Sequence, residues 1–323
     1  MYIYLGMLLH YNGKFTYTQK RASQQGSRAL ASLTNSLQNL YINTNRKCFS
    51  FDTMISTVLN YASEIWGFHR ARDVELVHNR FCRYALNLGK STPTSFLYGE
   101  LGHLPMYIVR KFKIIKYWLH LLQNQPKIVY DVYQLLLNDA NMGKRNWASD
   151  IRDMFFELGL NYMWLNQNDI YVSYDFIKSR ILDQYYQTWR TSIAECEKLK
   201  LYMSYKLIFD FESYLNFDFD TTLLCKLRSG TLKLQLEVGR YEGVLRNNRL
   251  CKCCNMNIVE YEYHFILVCP EFRVLRCQFL PRYYCSWPNI HKLKVLISAK
   301  SVKLSRQLCL YLKSAWKHRS QLL

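Results

Sequence analysis

The chain has 323 residues, half of them hydrophobic and 15% aromatic, with only 12 Gly and 6 Pro. That composition excludes a disordered chain and argues against a turn-rich all-β protein, leaving a mainly α fold with one large core or two moderate ones. Lys and Arg outnumber Asp and Glu by 43 to 24, and the resulting net charge of +19 favours a polyanionic partner over a neutral one.

The charge is uneven along the chain. Residues 1–50 hold six basic side chains and no acidic one, and residues 272–323 hold eleven and again none. Both ends are therefore suited to lie along phosphates. The apolar opening from Met1 to Leu9 lacks the positive n-region and the small-residue cleavage site of a signal peptide. No stretch is long and apolar enough for a membrane span. An intracellular protein, in nucleus or cytoplasm and without a membrane partner, is expected.

The first expected helix runs from Tyr17 to Leu40, with Leu30, Leu33, Leu37 and Leu40 at three- and four-residue spacing and Lys20, Arg21 and Arg28 among its polar positions. Asp52 is placed to cap a helix from Thr53 through Trp66, which Gly67 ends. Asp73 and Gly89 bracket the next helix, built on Val74, Val77, Phe81, Ala85 and Leu88. Residues 91–105 hold turn residues around a short helix. From Tyr107 to Leu122 the pattern buries Ile108, Phe112, Ile115, Leu119 and Leu122 and leaves Arg110, Lys111, Lys113 and Lys116 outside. Another helix spans Ile128 to Leu137, and the polar stretch Asn138–Asn146 marks a boundary. Beyond it, Ile181, Tyr185, Trp189, Ile193 and Cys196 repeat helically. The expected order is a short segment 1–13, a helical domain 14–138, a helical connector 147–220, a basic module 221–285 and a basic C-terminal helix 286–323.

Five of the eleven cysteines, Cys48, Cys82, Cys196, Cys225 and Cys309, stand singly in apolar helical stretches and read as core residues. The other six fall within residues 251–285, beside a histidine. Cys251-x2-Cys254 lets one tight turn aim two thiolates at a common point, and His264 and Cys269 supply two further donors, a set that suits one structural zinc ion. Cys253 offers a different register, and free thiols are the remaining alternative. Between Lys226 and Arg249 basic and apolar residues interleave, and Lys226, Arg228, Arg240, Arg246, Arg249 and Lys252 are candidate phosphate contacts. Asp218 and Asp220 resemble paired metal carboxylates, but no third acidic ligand is near, and Asp220 reads as a helix cap. No HExxH, Gly-x-Ser-x-Gly or P-loop occurs, so no active site is expected.

Several of these residues together resemble the carboxy-terminal part of a non-LTR (LINE-type) retrotransposon reverse transcriptase. The clearest stretches are Leu227-Arg-Ser-Gly230, Leu236-Glu-Val-Gly-Arg-Tyr241, Arg249-Leu-Cys-Lys-Cys-Cys254 and Glu262-Tyr-His-Phe-Ile-Leu-Val-Cys-Pro270. Tyr4-Leu-Gly6 is similar to the segment closing the polymerase palm. Tyr61-Ala-Ser-Glu-Ile-Trp-Gly67 and Tyr98-Gly-Glu-Leu-Gly-His-Leu-Pro105 are similar to the thumb region after it. The resemblance implies a thumb-like domain at 14–138 and a zinc and nucleic-acid role for Cys251, Cys254, His264 and Cys269. The chain has no Asp-Asp pair of the kind a reverse transcriptase palm needs for its metal ions. The expected function is a non-catalytic remnant of a truncated element that binds RNA or DNA, with a polymerase-bearing polypeptide as a further partner. Two alternatives stand beside it: a piece of a longer RNA-directed DNA polymerase, and a zinc-stabilised interaction protein.

Overall fold

The computed structural model describes residues 2–38, 40, 42–167 and 173–323. The protein is mainly helical, 68% helix against 3% strand, in line with its scarcity of turn residues. None of the described helices is long and apolar enough to cross a membrane.

Two compact units divide the chain, and they are interleaved along it. The first comprises residues 1–40, 49–81 and 104–189, and the second residues 41–48, 82–103 and 190–323. The contacts thus group segments that lie apart in the sequence. Packing draws segments distant in sequence into one core, and local composition does not register that.

The first unit opens on an antiparallel hairpin, Tyr2–Tyr4 with Met7–Leu9, turned at Leu5 and Gly6 with φ of 43° and 83°. Two successive positive φ values make the tight turn that suits the right-handed twist of the strands. The helix Thr16–Leu37 follows, burying Ala22, Leu30 and Leu33, while the side chain of Leu40 lies exposed beyond its end. Thr18 Oγ1 donates to the Leu8 carbonyl at 2.7 Å and ties the hairpin to this helix.

Asp52 does not cap a helix. It lies inside a continuous helical run, where Thr44–Phe51 passes through a π turn at Asp52–Ser56 into Thr57–Leu59. The break comes later, near Asn60, and a short helix Ser63–Trp66 ends at Gly67 as expected. The helix Arg72–Leu86 stops earlier than Gly89 because Asn87, at φ 52°, takes the left-handed position.

Arg110 is the main departure within this unit. Expected on the outer face of Met106–Asn124, it is fully buried, 3.3 Å from Glu75 and over the Trp66 ring at 5.5 Å. Glu75 also accepts from the first amides of that helix, Met106 N at 3.1 Å and Tyr107 N at 2.7 Å. One carboxylate therefore satisfies the orphan helix donors and a guanidinium together, and this draws Arg110 inward. Phe112 and Leu122 are only half-buried, and Ile114, Trp118 and Leu121 fill the core beside Ile108, Ile115 and Leu119. Trp118 Nε1 donates to Tyr133 Oη at 3.0 Å.

In the second unit the core gathers around helices Thr94–Leu101, Thr222–Arg228, Ile290–Ile297 and Val302–Leu322. Asp220 caps the Thr222 amide at 2.9 Å, and Asp218 pairs with Arg306 at 2.8 Å. The C-terminal helix buries Leu308, Cys309, Tyr311, Leu312, Ala315 and Arg319, so one face of this basic segment is spent on packing. Cys48, Cys82, Cys225 and Cys309 are buried, and Cys196 is half-buried. Gly230 ends the helix Thr222–Arg228 at φ 63°, where a Cβ would stand 2.4 Å from the Lys198 carbonyl oxygen. Gly230→Ala is therefore expected to destabilise the protein by about 1–3 kcal/mol, seen as a lower denaturant midpoint with an unchanged slope.

Candidate metal centre

Two local devices build the cluster from a short stretch of chain. The first is a hairpin: Cys251 N donates to Ile258 O at 2.8 Å, Glu260 N to Arg249 O at 3.0 Å, and Leu250 bridges Val259 antiparallel. Its loop carries Cys254 back over Cys251, and Asn257 closes the loop at φ 53°, a conformation Asn tolerates better than most residues.

The second device is a π turn at His264–Val268, in which Cys269 N donates to His264 O at 2.7 Å. Residues five apart on an α-helix point about 140° away from each other at about 100° per residue. The wider i→i+5 turn brings His264 and Cys269 to one side, as such turns do at functional sites. Tyr311 of the C-terminal helix places its hydroxyl 2.9 Å and 3.1 Å from the Phe265 and Ile266 carbonyls inside that turn. A buried side chain thereby meets backbone acceptors that the wider winding leaves short of partners.

Cys251, Cys254, His264 and Cys269 each offer one donor atom, and all four atoms lie within 4.8 Å of one another. Cys254 Sγ and His264 Nε2 are 3.4 Å apart. Tetrahedral coordination with metal–sulfur bonds of about 2.3 Å and metal–nitrogen bonds of about 2.0 Å separates donors by about 3.5–3.8 Å. The observed spacing fits such a site, and the four residues can hold a metal ion. Cys251, His264 and Cys269 are buried and Cys254 is half-buried, so bound metal would be largely shielded from water.

The thiols already share protons unequally. A hydrogen bond from the Cys269 thiol pulls Cys251 below the usual thiol range, and the same bond, with burial, pushes Cys269 up. The shared proton favours ionisation at Cys251 over Cys269, and a thiolate is the form that ligates metal.

Cys253 belongs to a second trio, with Cys251 and Glu260. One observation sets it aside. The Glu260 carboxylate is committed: it receives Arg319 Nε and Nη2, each at 2.7 Å, and the Gln235 amide at 2.7 Å. A carboxylate bound bidentately by a buried guanidinium is a poor ligand for a cation. Cys253→Ser is expected to retain its full complement of bound metal, as measured by elemental analysis of the purified variant.

No family model, curated protein or solved structure matches this chain. The chemistry of the site therefore rests on the residues themselves.

The candidate phosphate contacts are dispersed. Lys20 and Arg28 are exposed and Arg21 half-buried on Thr16–Leu37, in the first unit. Six others belong to the second unit with the cluster, and they divide by environment. Arg240, Arg246 and Lys252 are exposed, and Lys226 is half-buried. Arg249 is half-buried, and its guanidinium donates to the carbonyls of Val244 at 2.9 Å and Leu236 at 2.8 Å. It braces the hairpin that carries Cys251.

Arg228 is withdrawn from any phosphate. It is 2% exposed and bonded to Glu100 through Nε at 2.6 Å and Nη2 at 3.2 Å. Nη2 lies 3.0 Å from Glu212, and Nη1 donates to the Ile297 carbonyl at 2.8 Å. The rings of Tyr205 and Tyr214 stack on it at 4.9 and 5.0 Å. Its donors are spent on the core, so it serves as a structural hub.

Glu100, Glu260, Tyr311 and Arg319 are supports that sequence reasoning missed. Glu260 and Arg319 stand 59 residues apart and Glu100 and Arg228 stand 128 apart, separations that no periodicity exposes. The sole local signal is an acidic residue in an otherwise apolar helix: Glu100 sits within Phe96-Leu-Tyr-Gly-Glu-Leu101.

Proposed function

We propose that this chain is a non-catalytic nucleic-acid-binding region, similar in role to the carboxy-terminal part of a non-LTR retrotransposon reverse transcriptase, and that its cluster holds one structural zinc ion. The observation that carries this reading is the convergence of three thiols and an imidazole in the unit that also exposes Arg240, Arg246 and Lys252. Three soft sulfur donors with one nitrogen form a closed donor set that favours zinc and leaves no position for a reacting water. Cys251, Cys254, His264 and Cys269 would hold the ion, and its role there is to fix the hairpin against the π turn. Arg240, Arg246 and Lys252 would meet phosphates in the second unit, and Lys20 and Arg28 are candidate phosphate contacts of the first unit taken by itself. Any polymerase chemistry would come from a catalytic palm elsewhere, as in a longer RNA-directed DNA polymerase of which this region would form a part.

Binding of RNA and DNA measured across salt concentration tests the reading. Affinity is expected to fall steeply with salt, and Arg246→Ala is expected to reduce the log–log slope by about 1 and to weaken binding to all sequences alike. A flat salt dependence, or no binding even at micromolar protein, would sink it.

A further inference from the structure

Beside the metal cluster, within the second unit, lies a cavity of about 570 Å³. Half-buried Leu201 and Leu236 line it over the buried Leu232, Leu234 and Leu293, and Tyr261, Glu262 and Tyr263 enter it immediately before the candidate ligand His264. The size and the apolar lining are those of a small-molecule or single-residue pocket rather than a flat contact surface.

The polar lining is cationic on balance: Lys198, Lys200, Arg240, Arg246, Arg249 and Lys294 stand against Glu197, Glu237 and Glu262. Two of those carboxylates each serve two cations. Glu197 lies 2.6 Å from Lys200 and 3.3 Å from Arg246, and Glu237 lies 2.5 Å from Lys198 and 3.1 Å from Arg240. The excess positive charge is left for an anionic ligand. Glu262 remains in the wall as an acceptor.

A second, shallower depression shares Glu197, Lys198 and Arg240 with the first. It adds Tyr241, which is 65% exposed, with the Arg240 guanidinium 4.7 Å over its ring. An exposed tyrosine under a guanidinium is a stacking platform for a planar group.

We infer that the cavity and the depression take successive nucleotides of an unpaired nucleic-acid strand, one base in the leucine-lined cavity and the next against Tyr241, with the linking phosphate on Lys198 and Arg240. This rests on the nucleic-acid reading above and narrows it to single strands. A duplex keeps its base faces stacked, so it has nothing to bury against Leu201, Leu236 and the two tyrosines. A splayed base does, and its amino edge can donate to Glu262. Lys198 and Arg240 share the single charge of Glu237 between them, which leaves one positive charge for the linking phosphate.

The test uses the full metal-loaded chain and three probes of one sequence: a short single strand carrying one 2-aminopurine, the same strand with that base removed, and the duplex. The base-bearing strand is expected to bind at least about tenfold more tightly than the abasic one, as one stacked base warrants. The fluorescence of its 2-aminopurine is expected to change on binding. Ile290→Trp, at an exposed position of the cavity lining, is expected to erase that difference while leaving duplex binding unchanged. Tyr241→Ala, also at an exposed position, is expected to weaken single-strand binding about tenfold. Equal binding of all three probes would overturn the inference and leave the nucleic-acid reading standing. A base preference that survives Ile290→Trp would overturn it too, as would capture of an acidic leucine-bearing peptide in place of the strand. Failure of every probe to bind would remove the nucleic-acid reading, and this inference with it.

Discussion

Replacing Arg228 with Ala is expected to cost the second unit about 3–5 kcal/mol, because it strands the Glu100 carboxylate, which is fully buried, without its counter-ion. Tyr214 Oη still donates to Glu100 Oε1, at 2.5 Å, but one neutral donor does not compensate a buried charge. Chemical denaturation of the variant measures the loss. Pairing Arg228→Met with Glu100→Leu should recover most of it, since removing both charges removes the desolvation penalty as well as the attraction. A double variant as unstable as Arg228→Ala would show that the tyrosine cage and the Ile297 carbonyl, rather than charge balance, set the energy of this hub. Lys206 reinforces the same region, reaching Asp210 and, at 2.6 Å, Glu212.

The second large effect is expected at the metal cluster. His264→Ala or Cys254→Ala should abolish stoichiometric metal in the purified protein and loosen the stretch from the hairpin through the π turn. Ligation energy in small zinc modules is on the order of 10–16 kcal/mol and acts as folding energy. Hydrogen exchange would report the change as lost protection at the amides of Cys251, Glu260 and Cys269, each now bonded to a carbonyl of the same module. The first unit shares no ligand with the cluster, so its protection should persist. Arg319→Ala should act on the same stretch more weakly. It frees Glu260, leaves all four donors in place, and so is expected to lower metal affinity by about 10–100-fold, the usual effect of removing an outer support.

Much of the helical plan is legible in the sequence because it is written locally. Apolar residues at three- and four-residue spacing place the helices at Thr16–Leu37, Arg72–Leu86 and Met106–Asn124, and Gly67 and Asp220 act where their chemistry puts them. The clustering of the four candidate ligands is legible for the same reason, since all lie within nineteen residues and their side-chain types announce themselves. What sequence spacing hides is the winding. An α-helical reading would separate His264 from Cys269, and it takes the π turn to reunite them. Basic residues in an amphipathic pattern default to the surface, but Arg110 and Arg228 are each drawn inward by a glutamate, Glu75 or Glu100, from a distant helix. Asn87 displaced Gly89 as the helix stop because asparagine also tolerates the left-handed conformation.

The interleaving of the two units bears on how the protein can be made and cut. A fragment beginning at residue 190 would carry every metal ligand, the C-terminal helix and Arg228, yet it would lack Glu100, which comes with residues 82–103. During synthesis the ribosome releases Glu100 long before Arg228 exists, so the acid must wait, solvated, for more than a hundred residues of chain. A bond that closes so large a loop raises the contact order and slows folding. The hairpin and π turn that bring the four donors together need only a short local segment, so they can form before that closure and give the late-arriving helices a finished surface on which to assemble.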